Sequence, residues 1–308
     1  MHTKYVVKIR PYVRKFLQDV SAYYEIYVYT FGSRSYALSV LNSIDPQETY
    51  LKKSRLMSRD DQVAGVKDLE RILPKSHRHM ALIIDDNLSV WKNYLPNLIQ
   101  VKPYWFWNDE KETFKGNIKV VGKSDVYLWF LIPFLVRANK IFFKLRESQG
   151  EGSKPDIRSI IKRMESLMFH GKTFGFTNVW PKSTNRTKTM EYRVVSTRGA
   201  TIADEVEQLT HMFSYEFAAT PKMKKAKNLK ANLVHMKWIE YSSLYMTPLN
   251  PASFDLLKPA LDTEYYSEAS RIEENIVKDN TTDSIVQETS IADSHLVEYL
   301  LSQKTASN

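Results

Sequence analysis

Apolar and polar residues alternate along the first hundred positions in a way that switches repeatedly between strand and helix spacing. "YVVKIR" (5–10) reads as a strand. After Pro11, "YVRKFLQDVSAYY" places Val13, Phe16, Leu17 and Val20 on one face of a helix. "EIYVYT" is a β-branched and aromatic strand that ends in Thr30, and "FGSRSYALSVLNSI" returns to helical spacing. "DDQVAGVKDLERIL" predicts a further amphipathic helix, with Val66, Leu69, Ile72 and Leu73 apolar and Lys67 near its start. "MALIIDDNLSVW" (80–91) then gives a short apolar run, Ala81 to Ile84, that meets two adjacent acids, Asp85 and Asp86. A run of that kind is a buried strand of a parallel sheet, and "NLIQVKPYWFW" follows it. Strands alternating with helices predict an α/β domain with a parallel sheet over residues 1–108.

A connector with a helix around 126–145 occupies 109–155, and the polar, glycine-containing "ESQGEGSKPD" marks a boundary after it. Residues 156–257 predict a second α/β unit. Its strands are "KTFGFTNV", "LTHMFSY" and "NLVHM", and its helices are "TMEYRVVSTRG", stopped by Gly199, the lysine-rich "PKMKKAKNLK" and one carrying Trp238. From 258 to 308 the chain is rich in Ser, Thr, Asp and Glu and reads as a disordered acidic tail. Within it, "IADSHLVEYLLSQ" sets Ile291, Leu296, Val297, Leu300 and Leu301 on an apolar stripe.

Charge sharpens this division. The 308 residues carry a net +9, yet the last fifty hold ten acids against three Lys or Arg, which leaves the body at about +16. A basic body suits a polyanionic partner: nucleic acid, a phosphorylated protein or an anionic membrane surface. The longest apolar run, "VYLWFLIPFLV" (126–136), is interrupted by proline and is too short to span a bilayer. With no cysteine in the chain, disulfides and thiolate metal sites are excluded, which suits a nuclear or cytosolic protein.

Thr30 and Asp85 both end predicted buried strands, and in a parallel sheet those ends share a rim where ligands gather. Lys67 would bring a cation to the same rim. A hydroxyl, a lysine and a diacid are what phosphoryl transfer needs: carboxylates for Mg²⁺, hydroxyl and ammonium for phosphate oxygens. Singly, each feature has a plainer reading, as a solvated strand end, a β-former or a surface lysine. His77 and His79 lack a third ligand and read as a solvated loop; Trp238 reads as core.

The order and wording of the motifs go further. "KIRPYVRKFL", "YEIYVYTFGSRSYA", "SRDD", "VKDLERILP", "ALIIDDNLSVW" and "PNLIQVKPYWFW" together resemble the phosphatase domain of RNA polymerase II C-terminal-domain phosphatases of the TFIIF-associated type, within the haloacid-dehalogenase-like superfamily. The resemblance continues through "SDVYLWFLIPFLVRANKIFF" and "DIRSIIKRMESLMFHGKTFGFTNV" into a region similar to a BRCT domain, with Gly199, Ala200 and Trp238 at signature places. It implies a nuclear protein serine/threonine phosphatase acting on the phosphorylated polymerase tail. Mg²⁺ is its implied cofactor, and an aspartyl-phosphate its implied intermediate. It assigns Thr30, Lys67 and Arg10 to phosphate binding and Asp85 and Asp86 to the metal, with Thr30, Lys67 and the two acids as the catalytic set.

One element departs from the pattern. The family's first motif, Asp-x-Asp-x-Thr, supplies the nucleophile and the general acid ahead of the "KIRP" strand, and it does not occur in these 308 residues. The expectation is an N-terminally incomplete product, inactive without that motif. The alternative is a non-catalytic adaptor that binds phosphoprotein through the BRCT-like unit, with Thr177 and Lys224 or Lys225 as candidate phosphate contacts. The resemblance also implies that the tail's stripe docks on the large subunit of TFIIF. No nucleic-acid motif stands behind the basic patch "PKMKKAKNLK", and no membrane partner is expected.

Overall fold

A computed structural model of the chain describes residues 7–62, 65–104, 125–150, 152 and 154–257. The expected acidic tail, 258–308, and its apolar stripe lie outside the described residues. The chain divides after Ile160 into two compact units. The expected connector helix belongs to the first of them, and the division falls within the helix Ile157–Ser166 rather than at 155.

In the first unit, the stripe read from sequence forms α1 (Val13–Val20), which buries Leu17 and Val20. β1 (Val28–Tyr29) follows, then α2 (Arg34–Ile44), whose Ser33 cap accepts the Tyr36 N–H. Leu17, Leu41 and Leu51 close one small core with Phe16, Ile26 and Val28 around it. β2 (Leu56–Met57) pairs parallel with β1, and β3 (Ile83–Asp85) pairs parallel with β4 (Leu98–Gln100). A second core gathers Leu69, Ala81, Ile83, Trp91 and Tyr94 beside β3. The 23-residue α3 (Tyr127–Gln149) packs against α1 and is nearly continuous in its burial from Tyr127 to Leu135. The Tyr24 hydroxyl donates to the Leu135 carbonyl at 2.8 Å, and the Asn139 amide donates to the Tyr23 carbonyl at 2.8 Å; these bonds fix α3 to the turn after α1. Among the described residues no helix is long and apolar enough to cross a membrane.

Three expectations for this unit are corrected. The strand expected at 5–10 is not formed over its described part: among the described residues Val7–Arg10 pair with no strand, and a strand depends on its neighbour as well as on its own pattern. Of the helix expected over 60–73, the described residues form only short 3-10 turns, at Arg59–Asp61 and Leu69–Arg71, and Asp68 between them is extended. Here tertiary bonds override helical spacing: the Lys67 N–H donates to the Val90 carbonyl at 3.0 Å, and the Asp68 N–H to the Tyr29 hydroxyl at 3.1 Å. Finally, among the described residues the parallel strands make two pairs rather than one sheet. An apolar cavity of about 550 Å³ lies against Tyr27 and Tyr29 of one pair and Leu82 to Asp85 of the other.

The second unit begins in α4 (Ile157–Ser166) and is built on one four-stranded parallel sheet in the order β6-β5-β7-β8. Its strands are β5 (Thr173–Phe176), β6 (Thr201–Ile202), β7 (His211–Ser214) and β8 (Asn232–His235). Between them run α5 (Met190–Thr197) and α6 (Pro221–Asn228), and α7 (Lys237–Leu244) closes the unit. All of β7 is buried, as a central parallel strand requires. Trp238 of α7 is fully buried among Phe169, Phe174 and Phe213, with its indole N–H on the Leu249 carbonyl at 2.8 Å. The short β6 carried no pattern of its own in the sequence.

This core can be tested at two positions. Gly199 ends α5 at φ +86°, and a Cβ placed there would stand 2.6 Å from the Ser166 carbonyl oxygen. Gly199→Ala therefore combines strain with a backbone clash and should cost about 2 kcal/mol or more in urea unfolding. His211, 4% exposed, stacks between aromatic rings, and burial, aided by the charge of Lys172, pushes its pKa down to about 4. The unfolded chain takes up this proton near pH 6.5, and the folded chain only near pH 4. Stability should thus be full above 6.5 and fall by on the order of 3 kcal/mol between 6.5 and 4. His211→Leu should flatten that slope in pH-dependent unfolding.

Candidate active site

β3 ends at Asp85, where the chain bends, and β4 ends beside it at Gln100. The carboxyl ends of this parallel pair open on a cleft of about 340 Å³ whose charged lining is Arg10, Lys67, Asp85, Asp86 and Lys102. The alternation of a strand would send Asp85 and Asp86 to opposite faces. Both reach one cleft because the ladder stops at the first of them.

Asp85 is the organising acid. Its Oδ2 accepts from Lys67 Nζ at 2.6 Å and from the Trp91 indole at 2.8 Å, while Oδ1 accepts the Asn87 N–H at 2.9 Å. The Lys67 and Asp85 side chains are only 9% and 12% exposed. Burial works to raise the Asp85 pKa, but Lys67, the Asn87 N–H and the Trp91 N–H together outweigh it and hold the carboxyl below the ordinary carboxylate range. Lys67 Nζ also faces three rings, with centroids at 5.4 Å for Trp91, 5.5 Å for Phe31 and 5.8 Å for Tyr29. Asp86 differs: it is exposed, and among the described residues no ion pair engages its carboxylate.

Arg10 enters from the chain start. Its guanidinium pairs with the buried Asp125 at 2.8 Å, donates to the Lys102 carbonyl at 2.8 Å and lies over the rings of Tyr104 and Tyr127. The structure therefore brings Arg10, Lys67, Asp85 and Asp86 onto one cleft. Thr30 is not among the described residues that line this cleft. It follows β1, which among the described residues pairs with β2 and not with β3 or β4. Its hydroxyl accepts the Gly32 N–H at 3.0 Å, and its link to the cleft runs through the neighbouring rings of Tyr29 and Phe31 beside Lys67.

Sequence reasoning missed Lys102, Trp91 and Asp125. Lys102 stands two residues past the end of β4, and the rim rule that singled out Asp85 would have found it. Nothing local marked Asp125.

As for a metal, no group of three His, Asp or Glu is assembled among the described residues. Two adjacent carboxylates, one of them open, are nevertheless hard oxygen donors of the kind Mg²⁺ takes, since that ion keeps several waters and needs only one or two acids besides phosphate. The donor set fits.

The ion pair yields a prediction. Lys67→Met leaves a buried carboxylate short of its cation and should cost about 3 kcal/mol, measured by urea unfolding. Adding Asp85→Asn should recover more than half of this. Because the folded pKa of Asp85 is depressed, the pair's contribution is present above the unfolded value near 4 and is lost as pH falls through the folded value. The acid limb of the stability profile should be shallower in Lys67→Met.

Residues 1–124 match the family described as NLI interacting factor-like phosphatase, a span that contains Arg10, Thr30, Lys67, Asp85 and Asp86. The chain is 29% identical over 245 residues, 76% of its length, to the RNA polymerase II C-terminal domain phosphatase-like 4 of Arabidopsis thaliana. It is 41% identical over 106 residues, 34% of its length, to an RNA polymerase II C-terminal domain phosphatase of Encephalitozoon cuniculi. It spans 54% of the first of these relatives and 25% of the second. Among solved structures, that of Fcp1, an essential RNA polymerase II CTD phosphatase, aligns over 81% of this chain and 80% of its own, with 23% identity and a TM-score of 0.49. By these matches the chain is similar to RNA polymerase II C-terminal domain phosphatases, and its residues 1–124 are similar to the NLI interacting factor-like phosphatases.

Proposed function

We propose that the chain serves dephosphorylation of phosphoserine or phosphothreonine in the C-terminal domain of RNA polymerase II, with Mg²⁺. The observation that carries this reading is the cleft at the ends of β3 and β4, where Lys67 and Arg10 face the acids Asp85 and Asp86. Lys67 and Arg10 bind and orient phosphate oxygens, and the three rings around Lys67 exclude water from the ammonium. Asp85 holds Lys67 in place and, with Asp86, would hold Mg²⁺. The metal, when bound, neutralises charge on the transferred phosphoryl group. Thr30 is retained as a phosphate contact on the resemblance alone.

None of these groups is a nucleophile toward phosphorus. Lys67 is engaged as a cation, and the Thr30 hydroxyl is taken up by the Gly32 N–H, with no base bonded to it among the described residues. Attack falls to the aspartate of an Asp-x-Asp-x-Thr motif, which forms an aspartyl-phosphate that water then hydrolyses. These 308 residues contain no such motif.

The second unit is proposed as BRCT-like, supported by its parallel sheet, the buried Trp238 and the tight approach at Gly199. Its candidate phosphopeptide contacts are Thr177 with Lys224 or Lys225. Lys222 touches the residue before Thr177: its Nζ lies 3.3 Å from the Phe176 carbonyl and 3.9 Å from Asp204, while Lys225 pairs with Glu207. A nuclear location, and docking of the acidic tail on the large subunit of TFIIF, belong to the same reading.

The test is turnover of a phosphoserine heptad peptide. The 308 residues alone should release no phosphate. With an N-terminal segment bearing Asp-x-Asp-x-Thr, they should show Mg²⁺-dependent hydrolysis that Asp→Asn at its first acid abolishes. Robust turnover by the 308 residues alone would overturn the assignment of chemistry, and inactivity of the extended chain would favour the adaptor.

A further inference from the structure

Trp91 lies six residues beyond Asp85, in the 3-10 segment Leu88–Asn97, and is 3% exposed. A buried indole needs a partner for its N–H, and a nearby carbonyl usually serves. Here the N–H donates at 2.8 Å to Asp85 Oδ2, the oxygen that also accepts Lys67 Nζ at 2.6 Å. The same indole presents its ring to that lysine, with the centroid 5.4 Å from Nζ. One side chain thus meets both members of the ion pair, through two different kinds of contact. Its own orientation is set by edge-on packing against Tyr29, at 5.4 Å and 84°, and against Tyr94, at 6.2 Å and 83°. Ordinary core packing accounts for the burial and the edge-on rings. It does not require the N–H to be aimed at a carboxylate already held by a cation.

The double use of Oδ2 has a consequence for ligand binding. A phosphate entering the cleft competes with Asp85 for Lys67. If Lys67 Nζ turns toward the phosphate, Asp85 loses its cationic partner in a largely buried position and would be free to change rotamer. The indole N–H stays where it is, a charge-assisted bond that does not depend on the lysine. The ring meanwhile gives the ammonium a surface on which to turn without being rehydrated.

We propose that Trp91 is a positioning residue of this cleft: its N–H holds Asp85 for the cation site and its ring guides Lys67 toward phosphate. This rests on the phosphatase reading above for the identity of the two ligands, but the placement of Asp85 and Lys67 by Trp91 is separable from it.

The two contacts can be dissected with two variants of the full 308-residue chain. Trp91→Phe keeps a ring and removes the N–H; Trp91→Leu removes both. Calorimetry with Mg²⁺ and with inorganic phosphate, on samples checked for folding by circular dichroism, reads the ligand side. Trp91→Phe should weaken Mg²⁺ binding about ten-fold, the loss of one hydrogen bond to a charged group, and leave phosphate within about two-fold. Trp91→Leu should weaken both about ten-fold. Should Trp91→Leu fail to fold, the comparison of Trp91→Phe with the parent decides. Variants that melt earlier yet bind both ligands as the parent does would reduce Trp91 to core packing and overturn the proposal.

A ligand-free readout separates the two readings. The ammonium protons of Lys67, buried and paired, should exchange slowly enough to be seen by nitrogen-edited NMR in the parent and be lost in Trp91→Leu. If the parent binds neither ligand, the phosphatase reading falls, and that loss alone upholds placement of the pair by Trp91. Slow exchange kept in both variants would sink it.

Discussion

Lys67 and Asp85 are opposite charges withdrawn from water, and the first unit is arranged around making that withdrawal tolerable. Dehydrating each ion costs several kcal/mol, which Coulomb attraction offsets only when every remaining donor and acceptor is satisfied. Asp85 meets that demand with three donors on two oxygens. Lys67 meets it with one carboxylate and three aromatic faces, groups that attract a cation without competing for its protons as water would. Trp91, Tyr29 and β3 are each part of the packed core and part of this arrangement at once. Fold and site here share residues.

The same demand explains the backbone that delivers the lysine. A helix over 60–73 would satisfy its own N–H groups and spread the side chains around its axis. Instead the stretch gives the Lys67 and Asp68 N–H groups to Val90 and to Tyr29, and the Gln62 side chain donates to the Thr30 carbonyl at 2.7 Å. These bonds tie the segment to the end of β1 and to the loop beyond β3. Asp68 in turn holds the hydroxyl of Tyr94, one of the rings that orient Trp91. Local helix propensity, a few tenths of a kcal/mol per residue, is small against a network of buried bonds.

How much of this could be read from the sequence differs residue by residue. Asp85 and Asp86 were legible because an apolar run that stops at acids has few structural meanings, and the strand did end there. Lys67 lines one cleft with Asp85 and Asp86, as expected from its place before β3, but not from a helix: apolar spacing at 66, 69, 72 and 73 satisfies a helix on paper while tertiary bonds decide the outcome. Thr30 follows β1, in the other described strand pair, and the rim rule, which holds only within a sheet, does not by itself carry it to the cleft. β2 was invisible: two residues carry no periodicity. Trp91 is core by burial, and no one-dimensional pattern reveals where its indole N–H points.

The second unit was easier to read, and the reason is the kind of interaction that shapes it. Its inner strands β5 and β7 are short, largely buried apolar words, and its core is aromatic stacking around Trp238, where no charge needs a partner brought from afar. His211 fits that core because burial keeps it neutral at ordinary pH, so it behaves as one more flat ring. Hydrophobic burial is non-directional and tolerant of detail, so local pattern suffices to foresee it. A buried ion pair is directional and must be satisfied from distant parts of the chain, so its supporting residues are scattered in sequence. Where the two kinds of interaction meet, at β3, the apolar half of the strand was predictable and the contacts of its last residue were not.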